Sequence, residues 1–120
     1  MAAGPTNLVI RSASYDAQKG VWVERGYLTV TPAATGVITA NQELECAVDQ
    51  VMKSADGTVT AQPGDTLFVN GQNLKAGEVP KGARITAAGV AKVIIANVTG
   101  SNITDSNAQS YDYLLYHYAS

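Results

Sequence analysis

The sequence predicts an all-β protein, an antiparallel sandwich or barrel of eight or nine short strands. Runs rich in β-branched and aromatic residues recur about every 8–12 residues and are separated by turn formers. One run, Val90–Thr99, is apolar at both parities, which is typical of a central strand buried on both faces. Helical composition is confined to Gln42–Lys53, where a period of two still fits better than 3.6. A short helix in that segment is the one alternative to strand.

In the N-terminal half we expect strands at Asn7–Ser12 and Val21–Val30, joined by a turn. The second run alternates apolar and polar residues, and Gly26 inside it is the expected place for a β-bulge. The long run Val37–Met52 also alternates, so we predict two strands with a kink near Asn41.

In the C-terminal half the dipeptide Asp56-Gly57 is the strongest hairpin signal of the chain. The segment Gly71–Lys81 contains glycines and a proline, so we expect an irregular connector there. The predicted strands of this half are Thr58–Ala61, Thr66–Asn70, Arg84–Ala87, Val90–Thr99 and Tyr111–Tyr118.

The length of 120 residues fits one domain, which we divide into a flexible arm, residues 1–6, and a single β domain, residues 7–120. Charged residues make up only 15% of the chain, below the usual quarter or so. A surface poor in charge suits a protein that works in contact with a partner. A small domain rich in Gly, Ser, Thr and Asn, with no such contact, explains the same composition.

Composition and patterning argue against several classes of partner. The formal net charge is −2 and the eight Lys and Arg residues are scattered, so no nucleic-acid surface is predicted. No apolar run reaches the 18 or so residues of a membrane span, and MAAGPTNL is unlike a secretory signal. We therefore expect synthesis in the cytoplasm and no membrane partner. Cys46 is the only cysteine, which excludes an internal disulfide, and it is expected to be buried.

No catalytic or metal-binding pattern is visible. His117 is the only histidine, so a histidine-based zinc site cannot form, and its ring is expected to be satisfied locally. Asp65, like the other turn-associated acidic residues, is expected to cap backbone amides. We predict no enzyme activity, no cofactor and no metal. Two carboxylates brought together by folding, as in a glycosidase, remain an open alternative.

The last run, YDYLLYHY, holds four of the six tyrosines. Tyrosine combines large apolar area with a polar tip and few torsions, which suits an interface. The alternative is that these rings cap the core. We expect the partner to be contacted by the arm and this run, through Met1, Ala2, Ala3, Gly4, Tyr111, Tyr113, Tyr116 and Tyr118.

Three features of the C-terminal half occur in order: PGDTLFVN, then LKAGEVPKGARITAAGVAKVIIANVTGSNIT, then a hydrophobic final strand. From Gly64 to Tyr118 the chain resembles the small jelly-roll-like decoration (cement) proteins of tailed-bacteriophage capsids. The resemblance implies a jelly-roll fold and a virion structural role on the capsid surface, with the major capsid protein as partner. The low charge and clustered tyrosines further suggest self-association as a dimer or trimer. The alternative is a carbohydrate- or receptor-binding β domain of a fibre or adhesin, with a small hydrolase the least favoured.

Overall fold

A computed structural model of the chain describes residues 9–16, 21–53 and 59–118. This part of the chain is all-β and antiparallel, as predicted, but it contains seven strands rather than eight or nine. The elements are β1 (Val9–Asp16), β2 (Val21–Val30), α1 (Pro32–Thr35), β3 (Glu43–Ala47), β4 (Thr66–Gly71), β5 (Glu78–Ala87), β6 (Val90–Asn97) and β7 (Gln109–Tyr118).

The strands form two sheets, with the orders β1-β2-β7-β4 and β3-β6-β5. Pairing is nested along the chain, because β2 pairs with β7 and β3 pairs with β6. Strands β4 and β5 belong to different sheets but lie in contact. The apolar inner faces of both sheets supply one core, whose fully buried side chains include Leu28, Val30, Ile38, Cys46, Met52, Val93, Ile95, Tyr111 and Leu115.

Strand β6 is central in its sheet, between β3 and β5, as its two-sided apolar pattern predicts. Ile95 points into the core and is fully buried. Ile94 points the other way and is only half-buried, so the expectation that both isoleucines are buried holds for Ile95 alone. On the outer face Ile94 lies opposite Glu45 of β3 in the register, so this isoleucine is an apolar residue on a face that also carries charged side chains.

Strand β5 begins at Glu78, earlier than the predicted Arg84, and runs through the segment expected to be an irregular connector. Pro80 is tolerated because β5 is an edge strand, where a missing N–H need not break a ladder. The register shifts between Pro80 and Gly82, which marks a bulge at the same place. Thr58 of the predicted strand Thr58–Ala61 lies outside the described residues, and in residues 59–61 only an isolated bridge forms, between Thr60 and Lys53.

Three further expectations concern turns and kinks. Asn41 has a positive φ of 58°, which confirms the kink there, and no helix forms in Gln42–Lys53. The run Val37–Met52 contains one strand, β3, rather than two. The predicted bulge at Gly26 does not form there, because the pairing of β2 with β7 is uninterrupted at this residue. A register shift occurs instead in the neighbouring strand β1, between Val9 and Ser12. Asp56-Gly57 and the arm, residues 1–6, lie outside the described residues.

Candidate functional site

The alternation of side chains along the paired strands β2, β7 and β4 determines which residues lie on the outer face of the four-stranded sheet. Trp22, Glu24 and Leu28 of β2 are buried, so the residues between them face outward. The antiparallel register aligns the outward residues of β2, β7 and β4 in three rows: Val23–Tyr116–Thr66, Arg25–Leu114–Phe68 and Tyr27–Asp112–Asn70.

Along these rows lies an open groove of about 520 Å³, which we call the outer groove. It is lined by Val23, Arg25, Phe68, Val69, Asn70, Asp112, Tyr113, Leu114 and Tyr116. Its floor is apolar and aromatic, with Leu114 and Tyr116 half-buried and Phe68 59% exposed. Arg25 and Asp112 place polar groups beside that floor. An exposed aromatic in the middle of an apolar sheet face is a common sign of a contact surface, because its area is buried only when a partner covers it.

The outer face of the three-stranded sheet has a different character. Arg84 of β5 forms a bidentate ion pair with Glu45 of β3, with Nε 2.7 Å from Oε2 and one terminal nitrogen 3.1 Å from Oε1. The hydrogen bond from Arg84 lowers the pKa of Glu45 below its ordinary value. Lys92 is also near enough to favour the charged form of that carboxylate. Since this face is charged, the outer groove is the better candidate for an apolar contact.

The structure separates the predicted contact tyrosines. Tyr111 is fully buried, and Tyr113 is 3% exposed and only borders the outer groove, so both rings pack mainly in the core. Their hydroxyls are used internally, since Tyr111 donates to Gln109 Oε1 and Tyr113 to Glu24. For this pair the core alternative applies.

Of the remaining predicted contact residues, Tyr116 lies on the outer groove. The backbone of Tyr118 pairs with Val21, and its side chain lies outside the described part of the structure, as do Met1, Ala2, Ala3 and Gly4. The sequence pattern did not identify Phe68 or Leu114 as outward-facing residues. Both lie between apolar neighbours, so their outward position becomes visible only when β4 and β7 are paired.

His117 is satisfied locally, as predicted. Its Nδ1 lies 2.7 Å from Oδ2 of Asp65, and Trp22 contacts the ring edge-on. The same oxygen of Asp65 accepts the Gln62 backbone N–H at 2.8 Å, so the carboxylate caps its turn and fixes the end of β7. This pair supports the fold and contributes nothing to the outer groove.

Folding does bring two carboxylates together, Glu78 and Asp105. Gln109 Nε2 donates to both, at 2.6 Å to Glu78 Oε1 and 2.9 Å to Asp105 Oδ2. Both residues are buried, 7% and 2% exposed, and neither lines the outer groove. We call Glu78, Asp105, Gln109 and Tyr111 the polar cluster. Because a glycosidase pair must flank a substrate, this arrangement does not match that alternative.

The electrostatics of the polar cluster are asymmetric. Burial raises the pKa of Glu78 to about 7. Burial works in the same direction on Asp105, but hydrogen bonds from Gln109, the Asn107 amide and the Glu78 carboxyl, together with the charge of Lys75, outweigh it and leave the pKa of Asp105 below its ordinary value. In mildly acidic solution the two carboxyls therefore differ in charge, with Asp105 ionised and Glu78 protonated, and Glu78 reaches its midpoint near neutral pH.

The cysteine of the chain lies in the core, as predicted. Cys46 is fully buried, and burial raises the pKa of its thiol to about 11, so it packs as a small neutral side chain.

Across residues 9–16, 21–53 and 59–118, His, Cys, Asp and Glu side chains form no group of three suited to a metal ion. No helix in this part of the chain is both long and apolar enough to cross a membrane.

Comparison of the chain with protein-family models, with curated proteins and with solved structures gave no match in any of the three. The chemistry of the described residues therefore has to carry the functional assignment.

Proposed function

We propose that the protein is a virion structural protein that decorates and stabilises a bacteriophage capsid, and that it has no catalytic role. The contact surface is the outer groove, and the observation that carries this proposal is the exposed aromatic floor formed around Phe68 on an otherwise regular sheet. The major capsid protein is the proposed partner, and the capsid surface is the proposed location.

The strand order supports a jelly-roll-like topology. In a jelly roll the chain folds back as a ribbon, so early strands pair with late ones in nested fashion. Here β2 pairs with β7 and β3 with β6, while β4 and β5 meet at the inner end of the ribbon. Double-sheet jelly rolls are found in viral capsid and lectin domains, which fits both candidate functions of this chain.

The energetics favour many weak contacts over one strong one. Covering a side chain such as Phe68 is worth at most about 1.5–3 kcal/mol. A shell offers repeated sites, so a self-associated dimer or trimer gains avidity from each additional copy that binds. Because bound copies favour the assembled shell over the dissociated one, such binding stabilises the capsid by mass action.

A carbohydrate-binding function is the second candidate, and the composition of the outer groove is the observation that favours it. An aromatic floor beside Arg25, Asn70 and Asp112 combines apolar area with hydrogen-bonding groups, as ligand sites commonly do. Asp112 Oδ2 accepts a hydrogen bond from Gln72 Nε2 at 2.8 Å, which holds this carboxylate at the groove.

The test is co-sedimentation with tailed-phage capsids stripped of their decoration proteins. We expect the wild type to bind, Phe68→Ser to bind at least tenfold more weakly, and Val90→Ser to bind as the wild type does. Val90 is the matched control, since it is 42% exposed on the three-stranded sheet. Retention on a glycan array that Phe68→Ser abolishes, without capsid binding, would support the second candidate. Binding to neither, or equal binding by both variants, would overturn the role of the outer groove.

A further inference from the structure

The polar cluster contains a buried carboxylate oxygen without a partner. Glu78 is the first residue of β5, and its Oε1 accepts two hydrogen bonds, from the Lys75 backbone N–H at 2.7 Å and from Gln109 Nε2 at 2.6 Å. Its Oε2 is fully buried and accepts none. A buried ionised oxygen without a donor is costly, whereas a protonated one is neutral and can itself donate.

Within residues 9–16, 21–53 and 59–118, no side chain donates a hydrogen bond to Glu78 Oε2. The titratable groups that act on Glu78 or feel its charge are Lys75 in the turn before β5, Asp105 in the loop before β7, Tyr111 in β7 and Cys46 in β3. Lys75 Nζ donates to the Thr104 carbonyl, at 3.3 Å. Burial raises the pKa values of Cys46 and Tyr111, so both are neutral at pH 7. The one charged carboxylate close to Glu78, on Asp105, is an acceptor.

The two carboxyl residues anchor separate surface segments. Glu78 ends the turn 72–77, and Asp105 lies in the loop 98–108. Besides the polar cluster, these segments are joined by Val98 N–H to the Gly77 carbonyl at 3.0 Å, by Asn73 Nδ2 to the Ala108 carbonyl at 3.5 Å and by the lysine contact above. The backbone carbonyl oxygen of Asp105 accepts a hydrogen bond from the Ala33 N–H at 2.8 Å, and this bond holds the loop 98–108 against α1.

We propose that Glu78 and Asp105 form a proton-dependent latch between the turn 72–77 and the loop 98–108. With one proton on the pair, the Glu78 carboxyl is neutral and Gln109 joins both residues. When that proton leaves, two buried carboxylates share one amide donor and repel each other, and the turn separates from the loop. The latch is independent of the outer groove, so it stands whether or not the proposed function is correct.

The direction of the pH dependence follows from the two carboxyls. The pKa of Glu78 is raised in the folded state, so its contribution is fully present below the ordinary value of 4.5 and is lost as the pH rises through about 7. The pKa of Asp105 is lowered, so its contribution is present above its ordinary value of 3.8 and is lost as the pH falls below that value. The latch is therefore closed in mildly acidic solution and opens above neutrality.

Amide hydrogen exchange by NMR on the full chain tests this directly, since protection factors correct for the intrinsic pH dependence of exchange. From pH 5.5 to 8.5 we expect protection in the turn 72–77 and the loop 98–108 to fall at least tenfold, while β3 and β6 stay protected. In Glu78→Gln the fall should be absent, because the amide is neutral at every pH. Glu43→Gln, which changes an exposed carboxylate at the start of β3, should behave as the wild type does.

A second measurement covers the case in which Glu78→Gln fails to fold. The carboxyl ¹³C shift of Glu78 in the wild type should titrate near pH 7, and Asp105→Asn should lower that midpoint by removing the like charge. Titration near 4.5, or a loss of protection that persists unchanged in Glu78→Gln, would overturn the latch.

Discussion

The clearest test of the packing is a pair of substitutions at adjacent positions of β6. Ile95 is fully buried between the sheets, where its register partners are Leu44 of β3 and Pro80 of β5. Replacing it with Ala removes three carbons, each worth about 0.8 kcal/mol of burial, or about 2.4 kcal/mol in all. The cavity left in a close-packed core adds to this, so we expect a loss of about 3–4 kcal/mol in the free energy of unfolding.

Ile94 is the matched control, because the same three carbons are removed one residue away on the half-buried outer face. No enclosed cavity forms there, and only about half of the burial free energy of the three carbons is lost. Ile94→Ala should therefore cost about 1 kcal/mol. Urea denaturation measures both variants, with unchanged m-values as the check that the unfolding transition is comparable. Equal losses for the two variants would refute the assignment of Ile95 to the inner face and Ile94 to the outer one.

Two further substitutions test the turn and the polar cluster. Gly77→Ala should lower the unfolding free energy by at least about 1 kcal/mol, because Gly77 has a φ of +90° and an added Cβ would lie 2.4 Å from Cγ2 of Thr99; a thermal melt equal to that of the wild type would contradict it. Tyr111→Phe leaves Gln109 Oε1 buried without its donor, so it should cost about 1–3 kcal/mol by urea denaturation although the ring is retained. A loss no larger than that of an exposed surface change would show that Gln109 finds another donor.

The fold was predictable where local pattern and burial agree. Strand β2 has the predicted bounds because its apolar alternation is flanked by turn residues on both sides. The predicted strand at Arg84 begins six residues later than β5 does, because Pro80 and Gly82 usually mark a break in a central strand. They are tolerated in β5 because it lies at the edge of its sheet. Whether a strand lies at an edge is a property of the assembled sheet, and the sequence of one segment does not contain it.

The candidate site was less accessible to prediction for a related reason. The parity of YDYLLYHY correctly groups Tyr111 and Tyr113 on one face, but which face points inward depends on the pairing of β7 with β2 and β4. Phe68 lies between two apolar residues, so its outward position is equally dependent on that pairing. Glu78 and Gln109 are 31 residues apart, and only the nested topology brings their side chains together.

The geometry of the four-stranded sheet also bears on the size of a partner. Val9, at the start of β1, pairs with Tyr27, and Tyr118, at the end of β7, pairs with Val21. The chain therefore enters and leaves this sheet near opposite ends of β2, six residues or about 20 Å apart at the rise of an antiparallel strand. A partner that touches the start of β1, the outer groove and the end of β7 has to cover that whole distance. A protein shell does so easily, whereas a single sugar ring fills only part of the groove. Contact with the start of β1, the outer groove and the end of β7 by one partner therefore requires an extended surface, which a small glycan does not provide.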